Sequence, residues 1–458
     1  MDELCRAYSP SQAILKDSHP APSRILIRDV LIVGGGASGT YAAVRLQQDF
    51  NKSIVLVEQK SILGGHTHTY HDTSSNITID TGVIVYHHLP AVHSFFGRFN
   101  IPLTNFSFDT SIVRNVDFRT GRPVDVPSTD NDTATAFAKW AELLAKYPTL
   151  ADGFILPDPV PEDLILPLGQ FVNKYNLSAI VPIIWSFGQG YGDILNSPVL
   201  YALKFFGPEI LRGISSGFVI TRDRNNHELY ERALDILGND TNVFLGSSIF
   251  AMARNRGNEF RTIMLSTPSG HVLVQARQVL FTIPPLLDDL RGVDLDQTEL
   301  DLFSQFRGNS YFTALLQNAS VAENATFTNR VNNSARFYLP RLPSSYTIGT
   351  TFTASNLTAV KSCASFRMKR GAARSRILSE VRRVIPGSRP QVVNLLDHFP
   401  FGLQVSPRAI KKGFYQKLYR LQGRDRYFWS GAAWHVHDSS LLWNFTDTVL
   451  AQMQRALE

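Results

Sequence analysis

A glycine pattern near the start of the chain is suited to holding a phosphate group. Gly34, Gly36 and Gly39 follow an apolar run at residues 30–33 and precede a segment with helical periodicity. The apolar run predicts a buried parallel strand. Glycines at this spacing permit a tight turn, let the backbone approach a pyrophosphate and let the helix pack close to the strand. The helix start then offers unpaired N–H groups to the phosphates.

An acid follows the second strand of the same unit. The helix starts around Ala37 and Ser38, and a second apolar run at residues 54–57 ends on Glu58. An acid at this distance from the glycines accepts hydrogen bonds from ribose hydroxyls. The order of strand, glycines, helix, strand and acid predicts a complete βαβ dinucleotide-binding unit. The alternative is an α/β unit that merely uses glycine at a tight turn.

Histidines are concentrated just after this unit. Six of the twelve lie between His66 and His93, and His66-x-His68 is one closely spaced pair. Such imidazoles can bind metal, but no HExxH pattern or acid-rich helix accompanies them. We therefore predict ordinary hydrogen bonding for these histidines and no metal site.

Length and composition describe an ordinary globular protein. The 458 residues are 44% hydrophobic and 18% charged, which argues against disorder and allows two or three domains. The net charge of +6 comes without a basic run of the kind that indicates nucleic-acid binding. No apolar stretch is long enough to span a membrane. The only two cysteines, Cys5 and Cys363, exclude a disulfide framework and a cysteine-based zinc site.

The compartment stays open because two signals conflict. Residues 1–28 contain no hydrophobic core of a signal peptide, which favours the cytoplasm. The pattern Asn-x-Ser/Thr recurs more often than chance placement gives, as at Asn76, Asn176 and Asn444, which favours a glycoprotein of the secretory pathway.

Hydrophobic periodicity predicts most of the remaining elements. The helix at 367–385 is basic and amphipathic, and we interpret its charges as a solvated face. Predicted helices lie at 133–146, 228–237, 367–385 and 440–457, and predicted strands at 242–249, 250–254, 260–266, 271–275, 278–283, 311–316, 346–352 and 427–429.

Several separated segments resemble one protein family. They read GGGASGTYAAVRL from Gly34, GGHTHTY from Gly64, GFYQKLYRLQG from Gly413 and YFWSGAAW from Tyr427. With these segments the chain resembles FAD-dependent oxidoreductases of the flavin amine oxidase superfamily. The closer similarity is to fungal flavoproteins of secondary metabolism of the β-cyclopiazonate dehydrogenase type.

The resemblance implies an α/β fold in which a Rossmann-type FAD-binding domain is interleaved with an α+β substrate domain, as in amine oxidases. Residues 1–28 are then a flexible lead-in. The FAD-binding domain comprises 29–88, 225–295 and 399–458, and the substrate domain comprises 89–224 and 296–398.

The same resemblance implies which residues contact FAD. Ile249 would place its backbone against the adenine, and Gly431 would open the helix that faces the flavin. His66 stands where the family often has arginine, and a histidinyl-flavin through His66 or His68 is an alternative to ordinary hydrogen bonding. The implied FAD contacts are Gly34, Gly36, Ala37, Ser38, Gly39, Glu58, Gly64, Gly65, His66, Thr81, Gly82, Ile249 and Gly431.

Two departures from amine oxidases bear on the chemistry. Residues 364–458 contain no cysteine, which argues against a cysteinyl-flavin bond. Many amine oxidases carry a lysine on a substrate-domain strand, but none occurs between Lys204 and Lys361, so amine oxidation with oxygen is disfavoured. The candidate catalytic residues are Tyr86, Lys204, His435 and Trp443, with packing in the core as the alternative for the aromatic ones.

We therefore expect an FAD-dependent oxidoreductase that dehydrogenates or oxidatively cyclises an apolar secondary metabolite in a fungal pathway. Its partner is a small-molecule apolar substrate, with no nucleic acid and no membrane span. The alternatives are an FAD-dependent double-bond isomerase of a lipid or polyketide and a non-catalytic flavin-binding protein.

Overall fold

The computed structural model describes residues 22–73, 75–107, 112–127, 130–254, 257–322, 324–332, 335–351, 353 and 356–457. Cys5 and most of the predicted lead-in lie outside these residues. The first strand begins at Arg24, so residues 24–28 belong to a strand and the predicted boundary at residue 28 is wrong.

The described residues form nineteen strands, most of them in two sheets. In chain order they are β1 (Arg24–Val33), β2 (Ile54–Val57), β3 (Thr69–Asp72), β4 (Ile77–Asp80), β5 (Leu103–Phe106), β6 (Ile112–Asp117), β7 (Arg122–Pro123), β8 (Phe218–Thr221), β9 (Val243–Phe244), β10 (Ser248–Ala253), β11 (Arg261–Thr267), β12 (Gly270–Phe281), β13 (Arg307–Gln317), β14 (Ala325–Asn329), β15 (Ser344–Gly349), β16 (Thr358–Ala364), β17 (Gln391–Asp397), β18 (Phe401–Gln404) and β19 (Tyr427–Trp429).

The first sheet contains the predicted βαβ unit. Its order is β10-β11-β12-β1-β2-β9, and β19 pairs with the end of β12. Strands β12, β1, β2 and β9 run parallel, whereas β10, β11 and β12 form an antiparallel meander. The four residues of β2 are fully buried, as a strand between two parallel neighbours requires.

One long strand replaces two predicted ones. Residues 270–281 form β12 without interruption, because the strand leaves the meander and continues into the parallel part of the sheet. Its burial alternates in the first half and is continuous in the last four residues. The hydrophobic pattern changes where the strand leaves the meander, and this change led us to predict two strands instead of one.

The second sheet has the order β17-β13-β16-β15-β14-β6-β7, with β18 on the start of β13. Phe401–Gln404 therefore pairs with the second sheet, although we assigned residue 399 onwards to the FAD-binding domain. The two sheets draw their strands from alternating parts of the chain, as the predicted interleaving requires.

The described residues also form fourteen α-helices. They are α1 (Ala37–Val44), α2 (Pro90–Arg98), α3 (Asp130–Ala145), α4 (Glu162–Ile165), α5 (Leu168–Tyr175), α6 (Val181–Phe187), α7 (Val199–Phe205), α8 (Pro208–Ser216), α9 (Glu228–Leu237), α10 (Gln297–Phe303), α11 (Arg370–Val384), α12 (Pro407–Lys411), α13 (Phe414–Tyr419) and α14 (Ser439–Arg455).

The C-terminal helix α14 packs against α1 and α2 on the first sheet. It begins at Ser439 with Asp438 as its N-cap, so Gly431 does not open this helix and that prediction is wrong. Helix α11 covers one face of the second sheet with a separate apolar cluster that includes Phe312 and Val360. The other face of that sheet turns toward the main core.

Candidate active site

The turn of Gly34, Gly35 and Gly36, which we call the glycine turn, leaves room for a ligand on one side only. A Cβ at Gly39 would lie 1.8 Å from the carbonyl oxygen of Gly34, so α1 packs directly on the turn. A Cβ at Gly36 would meet only the Cα of Gly65, at 3.6 Å. Gly36 is the N-cap of α1 and supplies no side-chain cap, so the first-turn N–H groups of α1 lack a side-chain acceptor. The open side therefore suits a pyrophosphate.

The acid at the end of β2 is held in place by backbone N–H groups. Glu58 is 7% exposed, and its carboxylate accepts hydrogen bonds from the N–H groups of Gly35 at 2.7 Å and Lys60 at 2.8 Å. The carbonyl of Glu58 accepts from Ser247 N–H at 2.9 Å. The strand that carries Ile249 therefore starts beside Glu58.

Two further predicted contact segments lie against each other. The N–H of Thr81 donates to the carbonyl of His68 at 2.8 Å. A Cβ at Gly82 would lie 1.8 Å from the carbonyl oxygen of His66, so only glycine fits there. The N–H of Gly64 donates to the carbonyl of Gly35 at 2.8 Å. This bond joins the segment of His66 and His68, and with it the segment of Thr81 and Gly82, to the glycine turn.

The C-terminal segment reaches the same edge of the sheet. The N–H of Ser430 donates to Phe281 at 2.9 Å, and Gly431 has a φ of +108° that favours glycine. The hydroxyl of Thr282 donates to Val33 at 2.9 Å. The carboxyl ends of β1, β12 and β19 thus meet where ligands bind in open α/β sheets.

Asn226 joins these segments and was not predicted. It is fully buried, and its amide donates to the carbonyls of Val83 at 2.9 Å and Ile84 at 3.1 Å. Its N–H donates to the Asp80 carboxylate at 2.9 Å, and burial raises the pKa of Asp80 to about 7. The side-chain oxygen accepts from Thr221 at 2.9 Å. Asn226 therefore fixes the path of the segment around Thr81 and Gly82.

Replacing Asn226 by leucine is expected to lower the affinity for FAD about tenfold or more and the stability by about 2–4 kcal/mol. Several buried hydrogen-bonding groups would lose their partner, and each costs about 1–3 kcal/mol. Titration of the apoprotein with FAD and thermal unfolding measure the two effects. Leucine at the exposed Asn196 is the matched control, and equal behaviour of the two variants would contradict the role of Asn226.

A ring cluster forms beside the glycine turn. Its members come from the turn after β2, the middle of β13, the residue after β17, the start of β18 and the loop before α14, and they are His66, Tyr311, His398, Phe401 and His437. The His66 ring lies 4.9 Å from His398, 5.8 Å from Phe401 and 5.9 Å from His437. Phe401 stacks on His437 at 4.1 Å and contacts Tyr311 at 5.0 Å.

The imidazoles of the ring cluster are neutral at physiological pH. Burial, reinforced by neighbouring imidazoles and Lys60, lowers the pKa of His66 well below its ordinary value. Burial lowers the pKa of His398 to about 3 and that of His437 to about 3. His437 accepts a hydrogen bond from Gly402 N–H at 3.0 Å, and His398 lies 3.1 Å from the Thr313 hydroxyl.

His66 differs from the other two imidazoles. It is half-buried and makes no hydrogen bond with the residues that the structure describes. Its ring nitrogens are thus free to contact a ligand. The sequence predicted His66 as an FAD contact and placed His437 beside the last motif, where aromatic residues could line the substrate site. It did not indicate His398, Tyr311 or Phe401, because they are distant in sequence and carry no motif.

Two predicted catalytic candidates lie in an aromatic core. Tyr86 is 1% exposed and stacks on Trp443 with ring centroids 5.5 Å apart. Trp443 is fully buried, and its indole N–H donates to the Ala37 carbonyl at 3.2 Å. Trp443 therefore supports the start of α1 from within the core.

The other two predicted catalytic residues, Lys204 and His435, contact each other next to the loop that carries His437. The ammonium of Lys204 donates to Leu150 at 2.5 Å and lies 3.5 Å from the His435 ring. His435 is 2.9 Å from the Ala151 carbonyl. Burial lowers the pKa of Lys204 to about 7 and that of His435 to about 3. The two side chains join the 148–152 turn to the loop that carries His437.

A lysine does lie next to the strand on which we expected none. Strand β13 carries no lysine, but Lys361 on β16 pairs directly with Thr313 and so shares its face of the sheet. Burial lowers the pKa of Lys361 to about 8. The absence of lysine from β13 therefore does not disfavour amine oxidation, because a buried lysine lies beside it on β16.

A buried ion pair fixes the entry to α14. His87 Nε2 lies 3.0 Å from the Asp438 carboxylate, and Asp438 also caps α14 by accepting from Leu441 N–H. Burial lowers the pKa of His87, but the Asp438 charge and hydrogen bond outweigh it and raise the pKa above its usual value. Burial raises the pKa of Asp438, but the His87 charge outweighs it and lowers the pKa.

The pair should stabilise the protein only in a window of mild acidity. The pKa of His87 is higher in the folded than in the unfolded protein. The resulting stabilisation is fully present below about pH 6.5 and is lost as the pH rises through the pKa of the folded state. The lowered pKa of Asp438 adds stability that is lost as the pH falls below about 4. Asparagine at His87 should lower the stability by about 1 kcal/mol near pH 5.5, and this difference should shrink at alkaline pH. Chemical unfolding across pH tests it, and a constant difference would contradict the charged pair.

The described residues form neither a metal-binding group nor a membrane-spanning helix. Among these residues, no three side chains of His, Cys, Asp or Glu come close enough to share a metal ion. None of the helices that the structure describes combines the length and apolarity that a membrane crossing needs.

Comparison with known proteins identifies the family. The NAD(P)-binding Rossmann-like domain family matches residues 32–99. The FAD-dependent oxidoreductase oblC of Cochliobolus heterostrophus is 35% identical over 93% of this chain and 90% of its own length. The chain belongs to the family of FAD-dependent oxidoreductases. The beta-cyclopiazonate dehydrogenase of Aspergillus oryzae is 31% identical over 93% of both chains, which confirms the resemblance inferred from the motifs.

Solved structures confirm the amine oxidase-like fold of this FAD-dependent oxidoreductase. A fatty acid isomerase from P. acnes superposes with a TM-score of 0.75 at 17% identity and covers 93% of this chain and 98% of its own. Putrescine oxidase superposes with a TM-score of 0.65 at 15% identity over 94% and 100%. At these identities the likeness concerns the fold alone.

The residues present fit FAD, the cofactor of the family. Gly36 leaves open space at the start of α1, and Ser38 is buried there with a hydroxyl that has no hydrogen-bond partner in the described structure. A phosphate oxygen would satisfy that hydroxyl. Glu58 lies where the ribose acid belongs, and the half-buried His66 offers free ring nitrogens on the side of the ring cluster. FAD bound here supplies hydride acceptance.

Proposed function

We propose that this FAD-dependent oxidoreductase dehydrogenates an apolar small molecule of fungal secondary metabolism at the ring cluster. The observation that carries the proposal is the packing of three neutral imidazoles with Phe401 and Tyr311 next to the glycine turn. Such a surface is mostly apolar and holds a few polar atoms, as small-molecule sites generally do.

The ring cluster supports the chemistry through its protonation state. A dehydrogenation removes a hydride and a proton from the substrate. The His66 imidazole is neutral at neutral pH because burial lowers its pKa, and its ring nitrogens are available to a substrate proton because they have no hydrogen-bond partner among the described residues. We assign the proton-accepting role to His66, while Phe401 and Tyr311 orient the substrate and exclude water.

The names of the relatives support the substrate class. The A. oryzae relative is named a dehydrogenase of beta-cyclopiazonate, and other relatives are named FAD-dependent oxidoreductases of fungi such as Monascus ruber. The aromatic ring cluster agrees with an apolar, ring-containing substrate.

Mass analysis of products tests the proposal. The purified protein with FAD is incubated with a panel of apolar fungal metabolites and an electron acceptor, and the FAD-free protein is the control. A product that has lost two hydrogen atoms supports dehydrogenation or oxidative cyclisation. A product of unchanged mass with a shifted double bond would instead assign an isomerase, and addition of oxygen to the product would also overturn the proposal.

A further inference from the structure

The net positive charge of this protein comes from one segment, residues 366–389. Residues 366–389 contain eight basic side chains and a single acid, Glu380, so they carry a net charge of about +7. The whole chain carries +6, and the remaining residues are therefore close to neutral. The basic side chains are Arg367, Lys369, Arg370, Arg374, Arg376, Arg382, Arg383 and Arg389.

The structure places all eight on the surface. Helix α11 buries its apolar residues against the second sheet and exposes its arginines. Of these eight side chains, only Arg376 forms an ion pair with a described residue, at 4.0 Å from Glu380. Surface charges are ordinarily interspersed with the opposite sign. Seven exposed basic groups without an ion pair are more than a solvated face needs.

The β6–β7 hairpin extends the same surface. Arg383 donates to the carbonyl of Phe118 at 3.4 Å, and a Cβ at Gly121 would lie 2.2 Å from the Arg383 carbonyl oxygen. The hairpin is therefore packed against the end of α11. It adds the exposed Arg122 and the exposed Arg119, which is paired with Asp117 at 2.9 Å. We call α11, residues 366–369 and this hairpin the basic face.

Exposed apolar side chains accompany the charges. Phe366 is 53% exposed just before α11, and Ile112 on β6 is 62% exposed. Ile112 lies on the same side of the strand as Val116, which packs in the apolar cluster beneath α11. Apolar side chains thus lie at separate points along an otherwise basic surface.

We propose that the basic face docks the protein on an anionic lipid bilayer. Basic residues near an anionic bilayer each add affinity, and neighbouring apolar side chains enter the headgroup region. Phe366 and Ile112 can enter a bilayer at any position on its surface. An acidic protein would instead need a separate pocket that matches each of the two side chains. Phe312 packs in the apolar cluster beneath α11, so Tyr311 and Thr313 on either side of it lie on the opposite face of the sheet from α11.

Vesicle sedimentation of the full chain with FAD tests this inference. Vesicles of phosphatidylcholine with and without phosphatidylserine are compared at low and high salt. Binding is expected only with phosphatidylserine and should weaken as salt screens the charges. The double variant R382E/R383E should bind more than tenfold more weakly, and I112S/F366S should bind more weakly at every salt concentration.

The control variant changes the charge equally elsewhere. K139E/R222E alters exposed side chains outside the basic face and should sediment like the unaltered protein. Flavin absorbance and turnover of a soluble substrate should be unchanged in all variants, which shows that they fold. Equal binding to both vesicle types, no binding, or equal binding of R382E/R383E and the control would overturn the proposal. Binding to poly-glutamate without binding to vesicles would assign an acidic protein partner instead.

Discussion

Valine at Gly36 is expected to lower the affinity for FAD about a hundredfold or more while the fold stays intact. A side chain at this position would meet only the Cα of Gly65, at 3.6 Å, so the protein itself can accommodate it. The side chain would occupy the space through which the backbone approaches the pyrophosphate. Titration of the apoprotein with FAD, followed by flavin fluorescence, measures the loss, and circular dichroism checks the fold.

Two other glycines are controls for this variant. Valine at Gly97, where an added Cβ would meet no atom within 4 Å, should leave the affinity for FAD unchanged. Valine at Gly39 should destabilise the protein as well, because its Cβ would lie 1.8 Å from the Gly34 oxygen. Wild-type affinity of the Gly36 variant would show that FAD does not bind at the glycine turn.

Phenylalanine at His66 is expected to slow turnover about a hundredfold or more while FAD remains bound. Phenylalanine keeps the stacking with Phe401 and His437 but removes the nitrogen that we propose accepts the substrate proton. General base catalysis by a placed side chain contributes about 10²–10⁴-fold. Single-turnover reduction of the flavin by substrate measures the loss directly.

The pH profile and a second histidine separate this role from packing. Because the pKa of His66 is well below its ordinary value, the wild-type rate should persist from neutral pH into mild acid. Phenylalanine at the exposed His71 should leave the rate unchanged. Flavin that stays with denatured wild-type protein but leaves the denatured His66 variant would reveal a histidinyl bond. An unchanged rate in the His66 variant would contradict its role as base.

Local patterns predicted the first βαβ unit and several other elements well. The helix Glu228–Leu237 and the strand Tyr427–Trp429 have the predicted bounds, because each has a clear period and flanking turn residues. The FAD cofactor and the fold class were also confirmed, since the glycine spacing and the terminal YFWSGAAW segment are specific signals.

The errors arose where the surroundings of a segment change. Residues 24–28 already belong to β1 and pair with β12, but they do not pair with β2, and Ile25 and Ile27 are 62% and 59% exposed. Their apolar run, Ile25 to Ile27, is short and is flanked by Arg24 and Arg28, unlike the run of four at residues 30–33 that marks the buried half of the strand. Gly431 forms a turn with φ +108°, and α14 begins only at Ser439.

The ring cluster could not be predicted because the fold alone assembles it. His398 and Phe401 come from the second sheet, and His66 comes from the turn after β2. No spacing in the sequence joins them, and single histidines and aromatic residues occur throughout the chain. The same holds for Asn226, whose partners lie in the segment around residues 80–84 and in β8.

We propose that the substrate passes a hydride to FAD, which the glycine turn would hold beside the ring cluster. Anaerobic mixing of the FAD-loaded protein with candidate metabolites tests it most directly, with the blue absorption band of the oxidised flavin as the signal. Bleaching of this band by substrate, slowed in the His66 variant and lost in the Gly36 variant, is the predicted result. A band that persists while the wild-type protein converts the substrate would contradict hydride transfer.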